Sequence, residues 1–385
     1  MRFSVDAHAV GQHLTGNETY IRNLLNAFAI LDHEADFLAY ISRQEAFDAV
    51  PGRFHKKRVA VNPFLRLGFD LPQRLWQDHP NLLHVQYTGP LFSPVPLIVS
   101  VHDVSFLEYP EYFTKFRSLQ LRCTVQRTVR SAACVLTPSE FSKRSIMNAY
   151  GLHEDRVVAL PNGVSSAYRP IARETAQRHV RSSLHLPAPF VLSVSDLQPR
   201  KNHLGLIAAF ECLVRNHPQL PHHLVLVGKE TWYAPVVRAA AKNSAAGDRI
   251  HFTGFVSDEE LLQLYGACDM FVYPSFYEGF GLPIIEAMAC GRAVACSNTS
   301  AMPEVADSAA LLFHPSSQEE IVRAMRDLLF NPELRSRMER LGAQRAAMFS
   351  WERTASKTLE IYYRIAGQAK HAAASDSKSI SAALS

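Results

Sequence analysis

Pro274-Ser275-Phe276-Tyr277-Glu278-Gly279-Phe280-Gly281-Leu282-Pro283-Ile284-Ile285-Glu286-Ala287-Met288 follows the short apolar run Met270–Tyr273. An apolar run, a turn holding two glycines and a proline opening a second apolar run read as strand, turn and helix. Gly279 and Gly281 let the backbone approach a ligand closely, and free N–H groups at the helix N-terminus face an anion such as a diphosphate. Glu278 lies in the turn and Glu286 in the first turns of the helix, so both carboxylates can face one ligand from opposite ends. Carboxylates accept hydrogen bonds from sugar and ribose hydroxyls. For Glu278 alone, a helix-capping glutamate in an ordinary loop is the alternative.

The same strand, loop and helix pattern occurs upstream. Phe190–Ser195 reads as a strand, Asp196-Leu197-Gln198-Pro199-Arg200-Lys201-Asn202-His203 as its loop and Leu204–Phe210 as a helix. Adjacent cations in such a loop, Arg200 and Lys201, suit a diphosphate leaving group because they neutralise its growing negative charge; a solvated pair is the alternative. With Leu224–Val227, Ile250–Phe255, Ala293–Cys296 and Ala310–Phe313, these strands build a doubly wound domain over 189–350.

Working back towards the N-terminus, Arg2–Asp6, Phe37–Ser42, Arg58–Val61, Leu82–Tyr87, Leu97–His102, Cys134–Pro138 and Val157–Leu160 read as strands of another such domain, 1–165. The rhythm lapses over 166–188, which reads as an interdomain linker. Helices follow at Ser317–Phe330, Pro332–Phe349 and Trp351–Ala366; residues 351–368 are expected to pack back on the N-terminal domain, and the alanine- and serine-rich 369–385 to be disordered. The fold class is α/β, two Rossmann-like doubly wound domains facing a central cleft, with the chemistry in the loops after the strands.

Two N-terminal segments fall in such loops. Gly11–Tyr20 precedes a helix at Ile21–Ala29; Gly16 can admit a phosphate or the acceptor, with Asn17 beside it, although a lone glycine loop is a weak signal and a plain turn is the alternative. His102-Asp103 ends a strand, where such a pair can bond a sugar hydroxyl and influence proton transfer. A structural histidine fixed by its neighbour is the alternative there.

The 385 residues, 47% hydrophobic and 20% charged, suffice for two cores. Met1–Val10 lacks the basic start and unbroken apolar stretch of a secretory signal. No uncharged apolar run approaches the roughly 20 residues of a membrane-spanning helix, so the expectation is a cytoplasmic protein, soluble or peripheral to the membrane. Cys123, Cys134, Cys212, Cys268, Cys290 and Cys296 form no metal or redox pairing and read as buried free thiols. A net charge of +4 is too mild to argue for nucleic acid. Between Lys115 and Arg130 five cations (Lys115, Arg117, Arg122, Arg127 and Arg130) alternate with Phe116, Leu119, Leu121, Val125 and Val129, without an acid. That pattern reads as a solvated helix face above a core stripe, or as a membrane-facing helix; Arg53 and Lys56-Lys57-Arg58 add a second basic stretch.

Taken together these segments resemble the family 4 retaining glycosyltransferases of GT-B fold, in the mannosyltransferase-B-like branch. The resemblance runs through nearly the whole chain, in Val101-His102-Asp103, Pro138 to Lys143, Pro161-Asn162-Gly163-Val164, Gln198 to Asn202, Val227-Gly228-Lys229, Gly254 to Leu261 and Glu278 to Glu286. It implies that Glu278 holds donor-sugar hydroxyls, Glu286 the nucleotide ribose, and Arg200 and Lys201 the diphosphate. Phe280, Gly281 and Leu282 would support sugar and phosphate, Phe255 and Val256 would contact the base, and His102 would join the catalytic set, with Gly16 on the donor side and Asp103 and Asn17 on the acceptor side. Many relatives carry a basic residue where Ser195 stands and several a glycine where Glu18 stands. The implied reaction moves a hexose, mannose from GDP-mannose first, to a lipid-linked oligosaccharide of a bacterial surface polysaccharide, with retention, no cofactor and no metal. Rhamnosyl or another hexosyl transfer from a dTDP-, GDP- or UDP-sugar is the alternative, and an inactive sugar-nucleotide-binding scaffold a distant one. A nicotinamide enzyme lacks its Gly-x-Gly-x-x-Gly turn here.

Overall fold

The computed structural model describes the backbone of residues 1–12 and 15–383 and the side chains of residues 1–12 and 16–369. It divides into two units, Met1–Gly163 with Ser350–Ser385, and Val164–Phe349.

In the first unit β1 (Arg2–Asp6), α1 (Thr15–Leu31), β2 (Asp36–Ile41) and β3 (His55–Arg58) wind one way from the centre of the sheet. A short α2 (Pro63–Leu65), a π-helical turn at Arg66–Asp70 and α3 (Leu71–Asp78) carry the chain back, so that β4 (Leu82–Gln86) pairs on the other side of β1. β5 (Leu97–Ser100), α4 (Ser105–Glu108), α5 (Lys115–Ser131), β6 (Cys134–Thr137), α6 (Glu140–Tyr150) and β7 (Val157–Ala159) complete a parallel sheet of order β3-β2-β1-β4-β5-β6-β7. Two expected boundaries are corrected. The third strand lies at His55–Arg58 instead of 58–61, because an edge strand paired only with β2 can be charged throughout. The first helix begins at Thr15, so Gly16 and Asn17 are helical; Glu18 in its first turn accepts from the Gly11 N–H at 2.9 Å. His13 and Leu14 of that segment lie outside the described residues.

The second unit opens with α7 (Arg173–Ser183), in the stretch expected to be a linker. Ala176 and Val180, one turn apart, are fully buried, and Arg173 donates to Asp269 at 2.5 Å. That apolar pair was hidden among charges, and it draws the segment into the unit. There follow β8 (Phe190–Val194), α8 (His203–Asn216), β9 (His223–Val227), α9 (Ala234–Asn243), β10 (Ile250–Gly254), α10 (Asp258–Ala267) and β11 (Met270–Tyr273). Then come α11 (Leu282–Ala289), β12 (Val294–Ser297), α12 (Met302–Ala306), β13 (Ala310–Phe313), α13 (Gln318–Phe330) and α14 (Pro332–Ala346). The parallel sheet runs β10-β9-β8-β11-β12-β13. Alternate residues feed two cores: Leu192, Val225 and Phe271 on one face, Val191, Leu224 and Val272 on the other. Burial on both faces is why these strands are continuous apolar runs.

The last helix, α15 (Trp351–Ala383), belongs to the first unit. Its Tyr362 packs on Phe3 and Phe28, and the Tyr362 hydroxyl lies 2.5 Å from Nδ1 of His84 in β4. The Ser100 hydroxyl bonds both His84 Nε2 (2.7 Å) and the Tyr20 hydroxyl (2.8 Å), so one buried chain ties α15, β4, β5 and α1 together. Burial, with His102 nearby, pushes the His84 imidazole down to about 3, so it is neutral at neutral pH. The backbone is helical to Ala383, where disorder was expected from 369; alanine-rich sequence favours helix. Side chains from 370 onward lie outside the described residues. Among the described residues no helix is long and apolar enough to cross a membrane.

Candidate active site

β8 and β11 are neighbours in the second sheet although about eighty residues separate them, since the chain builds β9 and β10 outward and then returns past β8. The loops leaving their carboxyl ends therefore meet at the point where the winding direction reverses. One loop carries Arg200 and Lys201, the other Glu278.

In the first loop Pro199–Lys201 forms a 3₁₀ turn and Asn202 takes a left-handed conformation with φ 56°. The Asn202 side chain accepts from Gly205 N–H at 3.2 Å, capping α8, and donates to the Pro315 carbonyl at 2.7 Å. A second close approach holds this loop: the ideal Cβ of a residue at position 228, where Gly228 has φ 151°, would stand 2.0 Å from the Ser195 carbonyl oxygen. In the other loop Gly281 (φ 111°) precedes the helix, with Pro283 in the first turn of α11.

Lys201 Nζ lies 2.5 Å from Glu278 Oε1, and Arg200 Nη1 lies 3.0 Å from Glu278 Oε2. Arg200 Nη1 also donates to the Tyr277 carbonyl at 2.9 Å, and the Phe276 N–H donates to the Arg200 carbonyl at 2.8 Å, so backbone and side chains lock the loops together. Lys201 Nζ donates to the Tyr273 hydroxyl at 2.9 Å and stands over that ring. The Glu278 N–H donates to Ser300 Oγ at 2.9 Å. Lys201 is 8% exposed and Glu278 7%. Burial would raise the Glu278 carboxyl, but Arg200 and Lys201 outweigh it and hold it at about 2. Burial and the neighbouring Arg200 lower the Lys201 pKa, opposed by Glu278. The result is an anion and two cations prearranged in a water-poor loop pair, able to grip hydroxyls and a phosphate group without reorganising.

Glu286, in α11, has different surroundings. The Tyr265 hydroxyl donates to its Oε2 at 3.0 Å, and burial raises the carboxyl to about 7, a rise the phenol reduces. Phe280 is buried edge-on to Phe349, and Leu282 opens α11. Phe255 is exposed in the loop after β10, with Val256 half-buried beside the Ser257 cap of α10. All of these positions in the second unit thus lie in loops at the carboxyl edge of its sheet or at the start of the helices that follow.

In the first unit His102 Nε2 donates to Gln86 Oε1 at 3.0 Å, edge-on to Tyr20, and burial pushes the imidazole down to about 4, against the pull of Asp103. Asp103 itself accepts from the Ser105 N–H (2.9 Å) and hydroxyl (2.6 Å), in the turn that leads into α4. Tyr273, Tyr265 and Ser300 were missed in the sequence reading. A tyrosine closing a fully buried strand is a usable signal, since its hydroxyl must find a polar partner; Ser300, in a separate loop, carried none.

Among the described residues no three His, Cys, Asp or Glu side chains group as metal ligands. All six cysteines are free; four are buried, Cys212 is half-buried, and Cys123, expected to be buried, is exposed on α5.

Residues 177–345 match the family model described as glycosyl transferases group 1, and residues 14–168 the one described as glycosyltransferase family 4. The chain is 32% identical over 369 residues, 91% of its length and 96% of the relative's, to O-antigen chain mannosyltransferase B of Escherichia coli. It is 28% identical over 65% of its length to the serotype-specific mannosyltransferase WbdA of Escherichia coli, of which it spans 31%. The solved sucrose-phosphate synthase of Thermosynechococcus elongatus shares the fold, with a TM-score of 0.77 at 20% identity, over 95% of this chain and 99% of that one. With both units matched and a relative this similar along nearly its whole length, the chain belongs to glycosyltransferase family 4 and is a glycosyltransferase of GT-B fold.

Proposed function

We propose that the chain transfers mannose from GDP-mannose to a lipid-linked oligosaccharide, with retention and without a divalent metal or other cofactor, on the cytoplasmic side of the membrane. The observation that carries this reading is the Lys201–Glu278–Arg200 cluster where the β8 and β11 loops meet. The mannosyltransferase relatives support the sugar.

Arg200 and Lys201 hold the diphosphate, aided by the start of α11 at Gly281 and Leu282. Glu278, always ionised near neutral pH, accepts from sugar hydroxyls; Glu286 accepts from the ribose, and Phe255 and Val256 border the base. Lys201 is steadied by Tyr273 as negative charge grows on the leaving group. The anomeric carbon–oxygen bond to the diphosphate breaks while a bond to the acceptor oxygen forms on the same face. The acceptor proton passes to the leaving phosphate oxygen, so no side chain acts as a covalent nucleophile. In the first unit His102, neutral and donating to Gln86 through Nε2, keeps Nδ1 as an acceptor for a sugar hydroxyl.

A thermal-shift screen against GDP-mannose, GDP- and dTDP-rhamnose and UDP-glucose tests the donor. Stabilisation by GDP-mannose alone, followed by an α-linked product and turnover undiminished by a chelator, is the expected result. Stabilisation by another donor, an inverted product, or activity lost to chelator and restored by magnesium or manganese would each overturn the corresponding clause.

A further inference from the structure

A buried charge cluster in the first unit takes no part in the chemistry above. Arg66 is 5% exposed, although Phe64, Leu65 and Phe69 around it stand out in solvent. Apolar side chains ordinarily turn inward and a guanidinium outward, so the inversion calls for a reason. It is built locally. Asn62 caps α2, accepting from the Phe64 N–H at 2.9 Å, and its carbonyl accepts from the Arg66 N–H at 2.9 Å. Arg66 then opens the π-helical turn, a geometry frequent at functional sites, and its side chain reaches Asp6.

Asp6 ends β1, the strand at which the winding of the first sheet reverses, with β2 and β3 on one side and β4 on the other. Open α/β sheets bind ligands at that place. Asp6 is fully buried, and its Oδ2 lies 3.1 Å from His8 Nδ1 and 3.5 Å from Arg66 Nε. Neither nitrogen is aligned with it for a hydrogen bond, and all three atoms are enclosed without a bonded partner among the described residues. The His8 backbone is fixed: its N–H donates to Asp6 Oδ1 at 3.2 Å, and its carbonyl accepts from Gln12 Nε2 (2.7 Å) and Ser42 Oγ (3.2 Å). Burial would raise the Asp6 carboxyl, but His8 and Arg66 outweigh it and hold it at about 2.

The outer nitrogens, Arg66 Nη1 and Nη2 and His8 Nε2, are not enclosed; they face solvent and bond no described residue. With Nδ1–H turned to Asp6, a neutral His8 presents the Nε2 lone pair. The outward set is two donor groups and one acceptor. Arg66 and Asp6 cancel in charge, and a phosphate or carboxylate would meet that lone pair with a second carboxylate behind it. Sugar hydroxyls fit instead, one accepting from the guanidinium and its neighbour donating to the imidazole. We propose that Arg66 and His8, positioned by Asp6, form a subsite for adjacent hydroxyls of an uncharged acceptor sugar and select it against acidic sugars. This rests on transfer to an oligosaccharide. The loose alignment around Asp6 tightens as the sugar binds.

The test is nuclear magnetic resonance of the full chain carrying isotope-labelled histidine, with the His8 ring signal assigned by its loss in H8F. The ring nitrogen shifts of the free chain should show Nδ1 protonated and Nε2 bare, and D6N should lose that preference. Mannotriose or maltotriose should move the His8 signal saturably, whereas methyl glucuronide and inorganic phosphate at the same concentrations should not. R66K, which keeps the charge and loses the fork, should weaken mannotriose binding by about tenfold. Saturation-transfer spectra of the sugar make the same comparison for H8F, and both variants should keep the stabilisation given by the nucleotide sugar. A His8 signal that ignores both trisaccharides, tighter binding of phosphate or glucuronide, or undiminished binding by both variants would overturn the proposal. The donor screen is separate: stabilisation by another nucleotide sugar sinks the proposed donor and leaves these outcomes readable, whereas stabilisation by GDP-mannose with a silent His8 sinks the subsite alone.

Discussion

Replacing Glu278 by glutamine keeps the size of the side chain and removes the charge that faces Arg200 and Lys201. The carboxyl is held at about 2 against an ordinary 4.5. At ~1.4 kcal/mol per tenfold, that difference corresponds to about 3 kcal/mol of stability. Because the folded-state value is depressed, this stability is present above about pH 4.5 and is lost as the pH falls towards 2. The substitution also leaves Lys201, 8% exposed, facing a neutral amide, and breaking a buried pair from one side costs about 3–5 kcal/mol. In a unit of this size 1 kcal/mol moves the midpoint by roughly 2–4 °C, so a loss of about 3–5 kcal/mol should make E278Q melt about 6–20 °C below wild type at pH 7. Circular-dichroism melts of wild type, E278Q, K201M and E278Q/K201M measure it. The double variant should recover part of the sum of the single losses, and the gap between wild type and E278Q should close as pH falls from 4.5. Equal midpoints at pH 7, or single effects that add to within ~0.5 kcal/mol, would refute the coupling. Sugar transfer by E278Q should fall by about a hundredfold or more, while GDP binding, measured calorimetrically, is retained because both cations remain.

Other substitutions probe the surroundings of that pair. Tyr273→Phe removes the oxygen that accepts from Lys201 Nζ at 2.9 Å, and a charge-assisted bond of ~1.5–3 kcal/mol predicts a fall in kcat/KM of about tenfold or more with the fold intact. Glu286 has the opposite sign from Glu278: burial raises it to about 7, so stability should fall as pH climbs from about 4.5 to about 7. Urea unfolding of Glu286→Gln at pH 5 and pH 8 should show that slope flattened. Gly228→Ala places a Cβ 2.0 Å from the Ser195 carbonyl, and a loss of more than about 3 kcal/mol in the same urea assay is expected. Tyr362→Phe strips the hydroxyl facing the buried His84 Nδ1 at 2.5 Å and should cost about 1–3 kcal/mol, read from the thermal midpoint.

The strands were legible wherever burial on both faces forced an unbroken apolar run. Met270–Tyr273 and Ala310–Phe313 coincide with β11 and β13, and Phe190–Ser195 overshoots β8 by one residue. The edge strand β3 escaped because one neighbour and solvent on its other side place no apolar demand on His55–Arg58. The α7 segment was mistaken for a linker because two small buried positions among charges give little periodic signal. In α5 the period was visible but its destination was not: an amphipathic stripe says that a face is apolar, not whether protein covers it.

Sequence alone determined that Glu278 and Glu286 share a strand–turn–helix unit, that Arg200 and Lys201 occupy a second one, and that both belong to a parallel sheet. Local spacing sets these facts, since strand, turn and helix form between near neighbours. Only tertiary structure decided that the two cations close on Glu278, that Tyr273 stands beneath Lys201, and that Glu286 keeps company with Tyr265 instead. The pairing of β8 with β11 across the intervening β9 and β10 brings those loops together, and such a register is fixed by burying the whole sheet, not by any segment within it.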